Sequence, residues 1–239
     1  MTNDAALNIL VTGGSGASGI AAARALRTDG HRVFTVGSDH RRISTAAEAA
    51  GNGVTPLVCD LANPDAVGQL RDDLAADGVR IDGVVHLVGG WRGAKGIPDQ
   101  SDSDWKFLER GSVTTLRNVS RAFFDDVAAS PRGRFAMVSS TMVEKPTAAV
   151  ANYAAAKAAA EAWTMAMADG FRRAAEAGEG DAAAVVLVVK ALVDDELRRR
   201  HPERSFPGAT DVADLAAAVV RLFTQPAAGL NGTRIRLAP

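Results

Sequence analysis

Asn8-Ile-Leu-Val-Thr12-Gly13-Gly14-Ser15-Gly16-Ala17-Ser18-Gly19-Ile20-Ala-Ala-Ala-Arg-Ala-Leu26 carries the chain from an apolar run through a glycine-rich turn into an alanine-rich run. The first five residues have strand composition and the last nine read as a helix. Glycines at such a junction permit a tight turn and let backbone approach a pyrophosphate, which then rests against the helix N-terminus. A glycine-rich turn alone is a weak signal, and it gains meaning only when it joins the first strand to the first helix of an alternating chain.

The rest of the chain alternates in that way. Strands are expected at Asn8–Thr12, Arg32–Val36, Val54–Cys59, Gly83–Val88, Arg134–Ser139, Ala184–Val189 and Thr233–Leu237. Helices are expected near 18–29, 41–51, 63–77, 102–128, 152–178 and 211–225. Val84-Val-His-Leu-Val88 and Val185-Val-Leu-Val-Val189 are apolar on both faces, as buried parallel strands are. Right-handed crossovers then give an α/β fold, a Rossmann-type doubly wound, seven-stranded parallel sheet with helices on both faces. No linker or repeat interrupts residues 1–239, so one domain is expected.

Bulk properties exclude several classes. The 239 residues are 47% hydrophobic and 23% charged with net charge −1, which argues against nucleic acid or an anionic membrane as the partner. The polar start Met1-Thr-Asn-Asp-Ala-Ala is unlike a signal or transit peptide, and no apolar run approaches the ~20 residues of a bilayer span. Cys59 is the single cysteine, which excludes an internal disulfide and suits the cytoplasm. His31, His40, His86 and His201 lack metal-ligand spacing, so no metal is expected. Asn118-Val-Ser120 and Asn231-Gly-Thr233 match glycosylation acceptors but lack a secretory signal.

Tyr153 and Lys157 lie four residues apart in an alanine-rich helix and share a face. Ser140, thirteen positions upstream of the tyrosine, ends the preceding strand and can meet them. Tyr153 is the only tyrosine. A free phenol has a pKa of about 10, too high for a base at neutral pH, and a nearby ammonium is expected to lower it.

The second strand ends Val36-Gly37-Ser38-Asp39-His40-Arg41-Arg42. A site for NAD would place a carboxylate at the strand end for the ribose 2′-hydroxyl. Gly37 and Ser38 stand there with two arginines beyond, which leans toward NADP through Ser38 and Arg41. Asp39 speaks for NAD, and Arg41 and Arg42 also fit a solvated helix start.

Taken together, Thr12-Gly13…Gly19, Cys59-Asp60-Leu61, Val88-Gly89-Gly90, Ser140 and Tyr153-x-x-x-Lys157 resemble the short-chain dehydrogenase/reductase family over nearly the whole chain. Asp211-Val-Ala-Asp-Leu and Gly229-Leu-Asn-Gly-Thr match its last helix and strand. The resemblance implies NADP or NAD in the turn formed by Gly13, Ser15, Gly16, Ala17, Ser18 and Gly19. It also implies Asp60 and Leu61 at the adenine, and Val88, Gly89 and Gly90 under the ribose. Tyr153 would be the general acid/base, Lys157 would bind the nicotinamide ribose and lower the tyrosine pKa, and Ser140 would hold a substrate carbonyl. A homodimer or homotetramer, paired through the helices around 102–128 and 152–178, is implied as well.

Departures from the family pattern are specific. Ala17 gives a Thr-Gly-x-x-Gly-x-x-Gly spacing more usual in extended epimerases and dehydratases. Ser112 occupies the place of a catalytic asparagine, His86-Leu-Val-Gly89 replaces Asn-Asn-Ala-Gly, Lys190-Ala191 replaces Pro-Gly, and Asp195 replaces a threonine. Val88-Gly-Gly-Trp91-Arg-Gly93 and Ser112 locally resemble dihydropteridine reductases. Trp91 is a candidate for the substrate pocket, whereas Trp105 and Trp163 suit helix packing. Residues 190–208 occupy the position of the substrate lid, and Asp194 and Asp195 would repel a cofactor phosphate there.

The chain is therefore expected to move hydride between a nicotinamide and a small carbonyl, alcohol or imine. Two other readings stand beside it. One is a cofactor-sensing binding protein of the same fold with little turnover, and the other is an extended-type epimerase.

Overall fold

The computed structural model describes residues 6–237. The opening Met1-Thr-Asn-Asp-Ala segment lies outside the described residues. The strands are β1 (Asn8–Thr12), β2 (Arg32–Gly37), β3 (Val54–Val58), β4 (Gly83–His86), β5 (Gly133–Ser140), β6 (Ala182–Val189), β7 (Leu192–Val193), β8 (Thr210–Asp211) and β9 (Thr233–Arg236). The helices are α1 (Ala17–Thr28), α2 (His40–Ala50), α3 (Pro64–Ala76), α4 (Asp102–Glu109), α5 (Thr115–Ala128), α6 (Ala151–Glu176), α7 (Asp195–Arg200) and α8 (Val212–Leu222).

The main sheet runs β3-β2-β1-β4-β5-β6-β9, and every pairing is parallel. This is the Rossmann-type arrangement expected from the alternation. Side-chain period decides how it is covered. On β6, Ala184, Val186 and Val188 pack with α3, α5 and α6 through residues such as Leu70, Phe123 and Phe171. Ala183, Val185 and Leu187 face the opposite layer, where Leu26 of α1 and Leu215 and Val219 of α8 lie. All eight residues of β6 are buried, which explains its uninterrupted apolar sequence.

Three boundaries differ from expectation for physical reasons. β4 stops at His86, and Leu87 and Val88 leave the sheet although they are apolar. β6 begins at Ala182, because burial overrides the low strand propensity of alanine there. The helix expected over 102–128 is broken by a π-helical segment, Arg110–Thr114, between α4 and α5. Across its ends Thr115 Oγ1 donates to Gly111 O at 2.8 Å, and Thr114 Oγ1 donates to Glu109 Oε1 at 2.5 Å. Such wide turns recur at functional sites.

Strand order reverses between β1 and β4, which opens a crevice beyond the strands' C-terminal ends. At the opposite end of the sheet Arg134 is buried and donates from Nε to Leu222 O at 2.8 Å and from Nη1 to Asp181 O at 2.7 Å. It thereby ties α8 to β5 far from the crevice.

Candidate active site

Two cavities meet over Leu87, Val88 and Gly89, one a groove of about 690 Å³ and the other a pocket of about 590 Å³. The groove is floored by Gly13, Ser15 and Gly16 and runs along the ends of β2 and β3 to Asp60 and Leu61. Its glycines are required by packing. Gly13 has φ 75°, and a Cβ there would lie 2.8 Å from the Leu87 carbonyl. A Cβ on Gly19 would lie 2.5 Å from Gly13 O, so α1 can approach the turn only without one. Gly16 differs, since its Cβ would meet nothing nearer than Gly13 O at 3.7 Å. Ala17 opens α1 and lines neither cavity, while Ser18 faces the pocket.

At the end of β2, Ser38, Asp39 and Arg42 line the groove and Arg41 does not. The cause is the helix start. Asp39 caps α2 by accepting from Arg42 N at 2.8 Å, and this sets which arginine faces the groove. A Cβ on Gly37 would lie 2.6 Å from Ser15 Oγ and 3.2 Å from the Ile43 side chain, so a larger residue there would have to displace both. Asp60 accepts from Ala62 N at 3.0 Å and pairs with Arg110 at 2.7 Å across the groove mouth.

Ser140, Tyr153 and Lys157 come together where the pocket joins the groove. Ser140 ends β5, and its Oγ accepts from Met142 N at 3.2 Å, which caps a short 3-10 turn. Tyr153 and Lys157 occupy successive turns at the start of α6, and the phenol hydrogen-bonds the Ser140 hydroxyl. Lys157 Nζ donates to Val138 O at 2.9 Å. A Cβ on Gly89 would lie 3.3 Å from that ammonium, so backbone without a side chain covers it.

The electrostatics correct one expectation. Burial holds the Tyr153 phenol above its ordinary value, and the bond to Ser140 only partly offsets this. Lys157 does not pull it down in this structure. Burial also lowers Lys157 itself to about 8, opposed by the carboxylate of Glu161. Both groups leave water, and desolvation favours the neutral form of each.

His86 shows why its substitution in the loop motif is tolerated. It is buried, with Nδ1 2.8 Å from Thr12 Oγ1 and Nε2 3.2 Å from Thr115 Oγ1. Burial first, and the Lys157 charge second, lower it to about 3, so it is neutral at ordinary pH. Ser112 is buried in the π-helical segment behind Gly89, and its Oγ has no hydrogen-bond partner. It lines neither cavity.

Trp91 and Gly90 line the pocket, and Trp105 and Trp163 do not. Trp163 donates to Ser120 Oγ at 2.9 Å within the helix layer. Asp194 and Asp195 also stay outside, contrary to the expected repulsion. Asp194 caps α7 by accepting from Leu197 N, and Asp195 is 84% exposed beside Arg198. Lys190 and Arg204 line the pocket instead. Arg204 carried no sequence signal, because it sits in a charged run that reads as solvated surface. Glu161 was also missed, although an acid one turn beyond Lys157 on the buried face was a usable clue.

Among the described residues no cluster of His, Cys, Asp or Glu could hold a metal, and no helix is long and apolar enough to cross a membrane. Residues 7–175 match the profile described as short chain dehydrogenase. The chain belongs to the short-chain dehydrogenase family. It is 27% identical over 150 residues to the NADP-dependent 3-hydroxy acid dehydrogenase of Salmonella typhi, a match covering 63% of this chain and 60% of that protein. The crystal structure of NAD+-bound xylitol dehydrogenase superposes with TM-score 0.83 at 19% identity, covering 97% of each chain. An NADPH-bound short chain oxidoreductase from Pseudomonas aeruginosa PAO1, described as containing an atypical catalytic center, gives TM-score 0.83 at 19% identity over 97% of this chain and 95% of that one. At such identities these two show the shared fold of the family.

Proposed function

We propose that this chain is an NAD(P)-dependent oxidoreductase acting on a small carbonyl, alcohol or imine, with Tyr153 as the general acid/base. The observation that carries it is the placement of Ser140, Tyr153 and Lys157 where the glycine-floored groove opens into the pocket. The residues present fit a dinucleotide. Gly16 leaves the floor open next to the N-terminus of α1, and Gly89 leaves Lys157 covered only by backbone. The names of the hydroxy acid dehydrogenase and of both solved relatives, which mention NADP, NAD+ and NADPH, agree with this reading.

When bound, the nicotinamide donates or accepts the hydride. Ser140 Oγ holds the substrate oxygen, and Tyr153 gives a proton to it or takes one from it. Lys157 holds the ribose hydroxyls. Ser112 Oγ, buried and without a partner, backs Lys157 through Gly89 as a further polar group of the site. Asp60 and Leu61 receive the adenine, and Val88 and Gly90 flank the ribose and substrate. Ser38 and Arg42 face a 2′-phosphate while the Asp39 carboxylate is engaged as a cap, so NADP is preferred over NAD. Residues 190–208 form the lid that shields the pocket from water. The chain acts as one cytoplasmic domain, paired through α4, α5 and α6 as a homodimer or homotetramer.

Titration of NADPH and NADH fluorescence followed by a carbonyl screen tests this. Tyr153→Phe should keep cofactor affinity and lower turnover by about 10²–10⁴-fold. Tight cofactor binding with no Tyr153-dependent turnover overturns it and favours a cofactor-sensing protein.

A further inference from the structure

No aspartate or glutamate lines the 590 Å³ pocket, whereas Lys157, Lys190 and Arg204 do. Two of these cations are engaged. Lys157 Nζ donates to Val138 O at 2.9 Å, and Lys190 Nζ donates to Pro207 O at 2.7 Å. Arg204 has no carboxylate in ion-pair range among the described residues, and its side chain only lies 5.3 Å over the Phe206 ring. Its neighbours in the same segment behave otherwise. Arg198 pairs with Asp211 at 2.6 Å, Arg199 with Glu196 at 2.6 Å, and Arg200 with Glu196 at 2.7 Å.

The segment that carries Arg204 is held at both ends. Thr210 N donates to Ala191 O at 2.9 Å, β7 pairs with β8, and the Lys190–Pro207 bond closes the loop over the end of β6. Arg204 lines the pocket but not the groove floored by Gly13, Ser15 and Gly16, although Ser18 of the same turn also reaches the pocket. Met142, Leu192 and Trp91 are apolar parts of the same pocket's wall, and Arg204 itself is exposed.

We infer that the substrate carries an anionic group, a carboxylate or a phosphate ester, which Arg204 binds in the pocket it shares with Ser140 and Tyr153. This rests on the oxidoreductase reading and names its substrate class. A guanidinium fork matches either oxyanion bidentately. With no acid lining the pocket, an anionic substrate meets cations there and no opposing carboxylate.

The test compares straight-chain oxo acids of increasing length with their methyl esters, and dihydroxyacetone phosphate with dihydroxyacetone. Binding to the NADPH complex is measured by calorimetry and turnover by NADPH oxidation. The wild type should favour at least one anion over its neutral partner by about tenfold or more in both measurements. Arg204→Gln should bring that ratio to within about twofold and leave the Kd for NADPH unchanged, and Arg204→Lys should keep part of the preference. The preferred pair separates carboxylate from phosphate ester. Equal handling of both partners by the wild type, or a ratio unchanged in Arg204→Gln, overturns the inference. A loss confined to NADPH affinity also overturns it and assigns Arg204 to the cofactor. Anion binding that depends on Arg204 without Tyr153-dependent turnover upholds the anion site and removes the oxidoreductase reading alone.

Discussion

Lys157 Nζ donates to Val138 O at 2.9 Å, so the buried ammonium is tied to the strand that ends in Ser140. Helix α6 and strand β5 therefore set the position of Ser140, Tyr153 and Lys157 jointly, and the charge this requires is held at a cost in solvation.

That cost is measurable. Folded Lys157 titrates near 8 against an ordinary 10.5, so between these values the unfolded chain binds the proton and the folded chain has released it. Stability from this group rises as pH climbs from about 8 to 10.5. Urea denaturation of wild type and Lys157→Met should show their difference shifting toward wild type by on the order of 3 kcal/mol across that window. A constant difference would contradict the assignment.

Glu161 is the counter-charge one turn further along α6. Its carboxylate accepts from Ser139 Oγ and from Arg234 Nε at 2.8 Å, and it opposes the lowering of Lys157. Glu161→Gln should move the pH limb governed by Lys157 to lower pH and destabilise the fold by about 1–3 kcal/mol. Glu161 acts as a positioning residue, so the pH profile of kcat/KM decides. A stability loss with an unmoved limb leaves it a purely structural role.

The glycines of the first turn separate folding from binding. Gly13→Ala places a Cβ 2.8 Å from the Leu87 carbonyl at φ 75° and should destabilise by about 2 kcal/mol or more. Gly16→Ala meets no such obstacle and should keep the melting temperature within a few degrees while weakening NADPH binding. Equal losses of affinity per unit of stability in both variants would sink the distinction.

Cys59 offers a chemical check. Burial, aided by the Asp60 charge, pushes its thiol up to about 11 from 9. At neutral to mildly alkaline pH it should alkylate about a hundredfold more slowly than an ordinary thiol. As the single cysteine, its labelling by iodoacetamide is read directly from intact mass.

Much of this was legible before any coordinates. Period and composition identify all seven strands of the main sheet: the central β4 and β6 are buried throughout, whereas the edge strands β3 and β9 are partly exposed and carry polar residues. The same logic overran at Leu87 and Val88, whose apolar side chains serve the floor of the two cavities rather than the ladder. It also missed the π-helical segment at Arg110–Thr114, since a single added residue leaves helical composition unchanged. Helix capping by Asp39, a local effect, exchanged Arg42 for Arg41 at the groove.

Local chemistry written along the chain determines the glycine turn, the Tyr153–Lys157 spacing and the alternation that makes a doubly wound sheet. Tertiary structure alone decided which charges face the cavities. Asp194 and Asp195 turn away into a cap and a surface pair while Arg204 turns in. It also set the direction of the proton equilibria, by burying Tyr153 and Lys157 together. The reason is range. Turns and helical faces depend on neighbours a few residues away, whereas desolvation and ion pairing depend on every segment that packs around a group, including segments about 20 to 80 residues distant here, such as Glu161 from Ser139 and Arg234 from Glu161.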